Sequence, residues 1–332
     1  MRSAFKPRIH PGQYETDRDP DEPIGSNPLD TYWLPGPAQE TPTAPADIQD
    51  EIILADMTAE IEHHTIGALT AATTAKIGAA VSPIATRTSY TSGATGAYNV
   101  TLQFKGGWTV ALQEVFITAA NRISATIIGD VQSVKVGSQQ VDDIVISAEL
   151  KAIDGAGGIL GQAGPTALRV GTFLPATAMM RFDSADAAAY HALGMFDEIV
   201  THEMMHAVGI GSIWANKALL SGAGFIGPNA TAEYAKLVDA YAANNGGSTT
   251  LANGTKLTKG AVPIETTGGA GTARAHWSEA VFDSEMMTGW LDTAKPGSAM
   301  VADPLSALTT ASLKDLGYIV ASRPPSDLFY LG

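Results

Sequence analysis

Residues 202–206 read His-Glu-Met-Met-His, and they lie in a run from Phe196 to Gly209 in which Phe196, Ile199, Val200, Met204 and Val208 recur at helical spacing. A helix with that pattern buries an apolar face. A step of four residues turns an α-helix by about 400°, which leaves the imidazoles of His202 and His206 roughly 40° apart on the same side. Two imidazoles so placed can share one metal ion. Glu203, next to the first of them, is turned away from direct ligation but is close enough to take a proton from a metal-bound water, the position of a general base. Any fold this chain adopts has to bring the remaining ligand to that helix.

The chain contains no cysteine, so that ligand must offer nitrogen or oxygen. A catalytic zinc uses three protein ligands and keeps a fourth position for water, whose pKa it lowers to about 7. Gly209, seven residues after His202, is where a left-handed residue can end the helix and turn the chain sharply. In the compact form of the extended motif the third ligand would follow at position 212, but that residue is Ser212, so it must arrive from farther along. His10 belongs to a proline-rich stretch, His63 and His64 read as solvent-facing helix residues, and His191 precedes the motif helix with a structural reading. His276 is the leading candidate, with Glu265, Glu279 and Glu285 as alternatives. Met287 follows His276 by eleven residues in a Met-Thr-Gly that can turn beneath the metal.

Around this motif the chain is long enough, at 332 residues with 45% apolar content, to build a substantial core. A formal charge of −14 without clustered Lys or Arg argues against nucleic acid as a partner. No run of eighteen apolar residues indicates a membrane span, and the first residues lack the apolar core of a secretory signal. The C-terminal Ser-Asp-Leu-Phe-Tyr-Leu-Gly loosely resembles the tail signal of leaderless export, so an extracellular location by such a route is the expectation, with a cytoplasmic one as its alternative. Residues 1 to about 47 carry half of the eighteen prolines and read as an extended arm or as a prosegment lying in a cleft. The proline-free stretch Asp50 to Ala80 reads as helical. Tyr98 to Phe104 alternates as a half-buried strand, and Trp108 to Ile128 repeats at three- and four-residue steps as an amphipathic helix. Strands are expected over 141–153 and Met179 to Phe182, a glycine-rich sheet edge over 154–165, and a loop-rich insertion over Gly222 to Thr272.

The residues HEMMHAVG, the distant His276 followed by Glu-Met-Met-Thr-Gly, and the insertion between them together resemble the leishmanolysin-like family of metzincin zinc metallopeptidases, over roughly residues 95–320. The resemblance implies an α+β fold with a twisted mixed sheet, an active-site helix and a loop-rich C-terminal subdomain. It implies domain limits of 1–90 for an arm or prosegment and 91–332 for the catalytic domain, the latter split into an upper part of about 91–210, an insertion of about 215–273 and a lower part of about 274–332. It further implies one catalytic Zn2+ on His202, His206 and His276, Glu203 as catalytic glutamate, Met287 as the turn methionine, and protein or peptide substrates. By similarity to other metzincins, Leu160, Gly161, Gln162 and Ala163 would pair with an extended substrate backbone. Asp154 and Asp183 could hold a structural Ca2+, but carboxylates beside glycine turns are more often turn residues, and calcium is not expected there. The cysteines of the protozoan members are missing, so an inhibitory prosegment would have to act without a thiolate. A non-catalytic module that keeps zinc for stability is the competing expectation.

Overall fold

The structure, a computed structural model, describes residues 50–53, 85–153, 155, 159–269, 271–290 and 303–332. In chain order its elements begin with strands β1 (Asp50–Ile53), β2 (Ser89–Thr91) and β3 (Val100–Lys105), helix α1 (Val110–Thr126), and strands β4 (Val134–Val136), β5 (Gln139–Val141), β6 (Ile144–Lys151), β7 (Ile159–Leu168) and β8 (Pro175–Asp183). Helices α2 (Ala187–Ala192) and α3 (Phe196–Ala207) follow, then β9 (Leu220–Ser221), β10 (Gly224–Phe225), helix α4 (Pro228–Asn244), β11 (Val262–Pro263), and helices α5 (Glu279–Phe282) and α6 (Ala307–Asp315). Strands thus precede most of the helices, and the class is α+β.

Strands β1, β7, β8, β6, β3 and β2 form one mixed sheet in that order. β3, β6 and β8 run parallel, with Leu102 opposite Ile146 and Ile146 opposite Ala178, while β2 and β7 are antiparallel to their neighbours. Period-two alternation places Val100 and Leu102 in the core, together with Ile144, Ile146 and Ala148. Helix α1 covers this face. Its N-cap Thr109 accepts from the Leu112 N–H, and Leu112, Phe116, Ala120 and Ile123 form its buried stripe. Trp108 Nε1 donates to the Ala148 carbonyl at 3.0 Å, tying the start of α1 to β6. Edge-to-face contacts of Phe116 with Phe182 (5.4 Å) and of Phe182 with Phe196 (5.3 Å) carry the core from α1 across β8 to α3.

Three sequence expectations are corrected. Asp50–Ile53 is not the start of a helix but a strand, paired antiparallel to β7 with Asp50 opposite Ala163 and Ile52 opposite Gly161; a sheet edge with unsatisfied backbone groups outweighs local helical preference. The expected loop-rich insertion contains the seventeen-residue helix α4, started by Pro228 in its first turn and buried through Ala230, Tyr234 and Val238. The strand expected over 141–153 is two elements, because Val141 ends a small hairpin with β4 and the sheet strand begins at Ile144. The proline-rich arm, residues 54–84, His10, His63, His64 and Asp154 lie outside the described residues. Among the described residues no helix is long and apolar enough to cross a membrane.

Candidate metal centre

Helix α3 is buried on nearly every side: of its twelve residues only Asp197 is not buried. A helix buried all round is ordinarily apolar all round. This one takes His202 (6% exposed), Glu203 (0%) and His206 (1%) into the interior, groups whose desolvation has to be offset by specific partners. The helix ends in a Schellman turn. Val208 is the C-cap, Gly209 follows at φ 117°, its N–H donates to the His206 carbonyl (3.0 Å), and the Ile210 N–H donates to the Met205 carbonyl (3.0 Å).

The turn also sets the second histidine. His206 Nδ1 lies 2.8 Å from the Ile210 carbonyl, which can only accept, so the ring nitrogen donates. His202 Nδ1 donates likewise to the Met286 carbonyl at 2.7 Å, and His276 Nδ1 to the Thr272 carbonyl at 3.0 Å. In the neutral ring each Nδ1–H leaves a lone pair on Nε2, and the three Nε2 atoms converge. His206 Nε2 is 2.9 Å and His276 Nε2 3.2 Å from His202 Nε2. Three imidazoles bound about 2.0–2.1 Å from a tetrahedral zinc would have their nitrogens roughly 3.3–3.4 Å apart, and the two observed spacings approach that of a ligand set, falling a few tenths of an ångström short of it. Nitrogen atoms converging in this way could be shared by one cation. His202, His206 and His276 thus make a possible metal site, with Glu203 beside them on α3.

His276 reaches the helix because two aromatic and two carboxylate anchors hold its segment. Glu265 and His276 pair through backbone (Glu265 N–H to the His276 carbonyl, 2.9 Å), and Trp277 pairs with Met287 (Trp277 N–H to the Met287 carbonyl, 2.9 Å). Trp277 packs on Trp214 with ring centres 4.6 Å apart. Glu265, one of the alternative ligands, accepts from the Thr266 and Thr267 N–H groups, the Thr267 hydroxyl and the Glu279 N–H. Burial pushes its carboxyl up, but these bonds together outweigh burial and hold it below the ordinary carboxylate range. Glu285, another alternative, is fully buried and engaged with the Met287 N–H and with α6. Glu279, the third, sits buried in the first turn of α5 and is not grouped with the histidines. Met287 is fully buried in the turn 285–288, closed by the Thr288 N–H on the Glu285 carbonyl (3.1 Å), and the residue before it holds His202.

His191 is an exposed residue of α2, apart from the triad. A cavity lies beside His202, lined by Glu198, Ile199, Met286, Trp290 and Asp303. Leu160, Gly161, Gln162 and Ala163 lie on β7, where β8 pairs one side and β1 the other. Asp183 accepts from the Ile153, Gly155 and Ala185 N–H groups at 2.7–3.0 Å, a turn-building role. A second acidic group, Asp130, Asp142 and Asp143, brings carboxylate oxygens within 4.8 Å. There Asp143 accepts from the Asn99 (2.7 Å) and Val131 (2.8 Å) N–H groups, and Asp142 from the Ser133 hydroxyl (2.5 Å), so these residues organise loops between strands. Sequence comparison with models of known protein families finds no match, and comparison with curated proteins finds none either.

Proposed function

We propose that this chain is a zinc-dependent metalloendopeptidase of metzincin type, similar to the leishmanolysin-like enzymes, and that it hydrolyses peptide bonds in proteins or peptides. The observation that carries the reading is the convergence of three Nε2 atoms, each on a ring whose Nδ1 is spent on a backbone carbonyl. Three nitrogen ligands, with Glu203 on the same helix, form the donor set of a zinc centre that keeps a position open for water. When bound, zinc supplies a Lewis acid and a water of pKa about 7. Glu203 takes the proton from the attacking water and returns it to the leaving amine; its burial strengthens the electrostatic coupling for both transfers. The substrate backbone would add as a strand to β7 along Leu160–Ala163.

In this reading the residues before β2 are a prosegment and those from β2 onward the catalytic domain, so the limit falls before Ser89 rather than at 90, where it would cut β2. The pairing of Asp50–Ile53 with β7 supports it, since the chain's own strand lies on the edge that substrate would need.

The deciding experiment measures zinc content and casein cleavage for the wild-type chain and for Glu203→Gln. One zinc in both, with cleavage lowered about 10²–10⁴-fold in the variant, is expected for loss of a general base. Full cleavage by a zinc-loaded Glu203→Gln would overturn the mechanism, and zinc without cleavage in either the wild-type or an N-terminally truncated chain would favour a structural zinc module.

A further inference from the structure

Two of the three ligands owe their positions to the same buried carboxylate. His202 is oriented by the Met286 carbonyl, and His276 is followed by Trp277, whose indole and backbone fix that segment. Glu285 reaches both. Its Oε2 accepts from the Met287 N–H at 2.6 Å, which sets the peptide plane that presents the Met286 carbonyl to His202. Its Oε1 accepts from the Ser306 N–H (3.1 Å), the Ser306 hydroxyl (2.6 Å) and the Thr309 hydroxyl (2.5 Å), and the Thr309 oxygen in turn accepts from Trp277 Nε1 at 2.7 Å. Ser306 is the N-cap of α6 and also accepts from the Thr309 N–H. Four donors thus meet one carboxylate that has no exposed surface, and they come from the methionine turn and from the first turn of α6.

An isolated buried carboxylate is among the costliest groups to fold into a core, and an apolar residue of equal volume would stabilise a merely structural turn at least as well. Burial by itself pushes the Glu285 carboxyl above its ordinary range, against the pull of its four donors. A group kept at such cost in contact with both ligand-bearing segments points to the metal centre rather than to the core. Ligand orientation is what outer-shell carboxylates around bound metals provide.

We infer that Glu285 is a positioning residue for the metal centre, one that sets the Met286 carbonyl against His202 and, through Thr309, the Trp277 anchor of His276, so that α6 and the three-histidine site move as one unit. This rests on the zinc reading of the triad. Glu285→Gln is nearly isosteric but has one oxygen. With that oxygen kept on Ser306 and Thr309, its amide N–H₂ faces the Met287 N–H, and the turn that holds His202 is released while α6 stays capped. Thr309→Val is the milder partner: it removes the link to Trp277 and one of the four donors of Glu285, and leaves the Met287 and Ser306 bonds in place.

The test uses the full chain. Zinc affinity is measured by competition with a chelator, and the visible spectrum is recorded after cobalt(II) replaces zinc, since its bands report ligand geometry. Expected are a 10–100-fold weaker zinc affinity in Glu285→Gln, a smaller loss in Thr309→Val, and shifted cobalt bands in both. A purely structural role lowers the melting temperature of the metal-free protein but leaves affinity and spectrum unchanged in the folded variants, and that result overturns the inference. If Glu285→Gln does not fold, Thr309→Val decides by the same two readouts. A wild-type chain that binds no zinc would instead overturn the metal-centre reading itself, and this inference with it.

Discussion

Gly209→Ala and Gly194→Ala make a matched pair that tests how the turn after α3 supports the site. Both glycines close a helix by the same two bonds. The Gly194 N–H donates to the His191 carbonyl and the Met195 N–H to the Tyr190 carbonyl, as Gly209 and Ile210 do to His206 and Met205, each at 3.0 Å. Both have positive φ, 72° at Gly194 and 117° at Gly209. They differ in surroundings. A Cβ at Gly194 meets nothing within 4 Å, whereas one at Gly209 would lie 2.8 Å from Ile213 Cδ1 and 3.2 Å from Leu316 Cδ1, both on fully buried side chains. The backbone cost of a left-handed alanine is about 1–2 kcal/mol at Gly194, and at least that at Gly209, whose φ of 117° lies beyond the left-handed well. Overpacking adds about 1–3 kcal/mol at Gly209 only. Urea unfolding of the metal-free proteins should therefore show a loss of about 1–2 kcal/mol for Gly194→Ala and about 2–5 kcal/mol for Gly209→Ala. Because the Ile210 carbonyl holds His206 Nδ1, zinc affinity should also fall for Gly209→Ala and stay unchanged for Gly194→Ala. Equal losses for the two, or an unchanged zinc affinity at Gly209→Ala, would refute the argument that this turn is packed tightly to aim His206.

Other outcomes follow from the same geometry. Removal of residues 1–84, and with them the strand on β7, should raise the rate of casein cleavage; equal rates with and without the segment would make it a docking arm rather than a prosegment. Asp143 is pushed from 3.8 up to about 6, first by burial and secondarily by Asp130 and Asp142, against the pull of its two backbone bonds. Since its folded value exceeds the unfolded one, the protonated acid is favoured in the fold. Its contribution is fully present below about pH 4 and is lost as pH rises through 6, by at most about 3 kcal/mol. The difference in stability between wild type and Asp143→Asn, followed by urea unfolding from pH 4 to 7, should shift by that sense and order; a flat difference would contradict it. Addition of a chelator at neutral pH should lower the melting temperature of the wild type by several degrees and leave that of His206→Ala nearly unmoved, since a ligand held at about 100 times its Kd stabilises by about 2.7 kcal/mol.

Helix α3 was legible in the sequence because everything that defines it is local: an apolar period, two histidines one turn apart, and a glycine where the helix must end. Strand β3 and helix α1 were legible for the same reason. Helix α4 was missed although Ala230, Tyr234 and Val238 repeat at steps of four, because the glycine, asparagine and threonine around it mask a short period. Helix α6 had a serine N-cap as its signal but a weak apolar stripe. The strand Asp50–Ile53 had no local signal, since its partner is more than a hundred residues away on an edge that exists only after β7 has paired with β8.

The sequence alone determined the chemistry that this chain can hold: two imidazoles and a carboxylate on one helix, no thiolates, and a histidine and a methionine turn far downstream. Helical geometry is a property of neighbours, so such a motif is readable without a fold. Tertiary structure decided which candidate completes the set, choosing His276 over Glu265, Glu279 and Glu285. It did so by delivering the segment after the insertion against α3, with a backbone carbonyl for each Nδ1. It also turned Glu285 from a possible ligand into the hub between the methionine turn and α6, a role that depends on four donors from separate parts of the chain converging on one buried group.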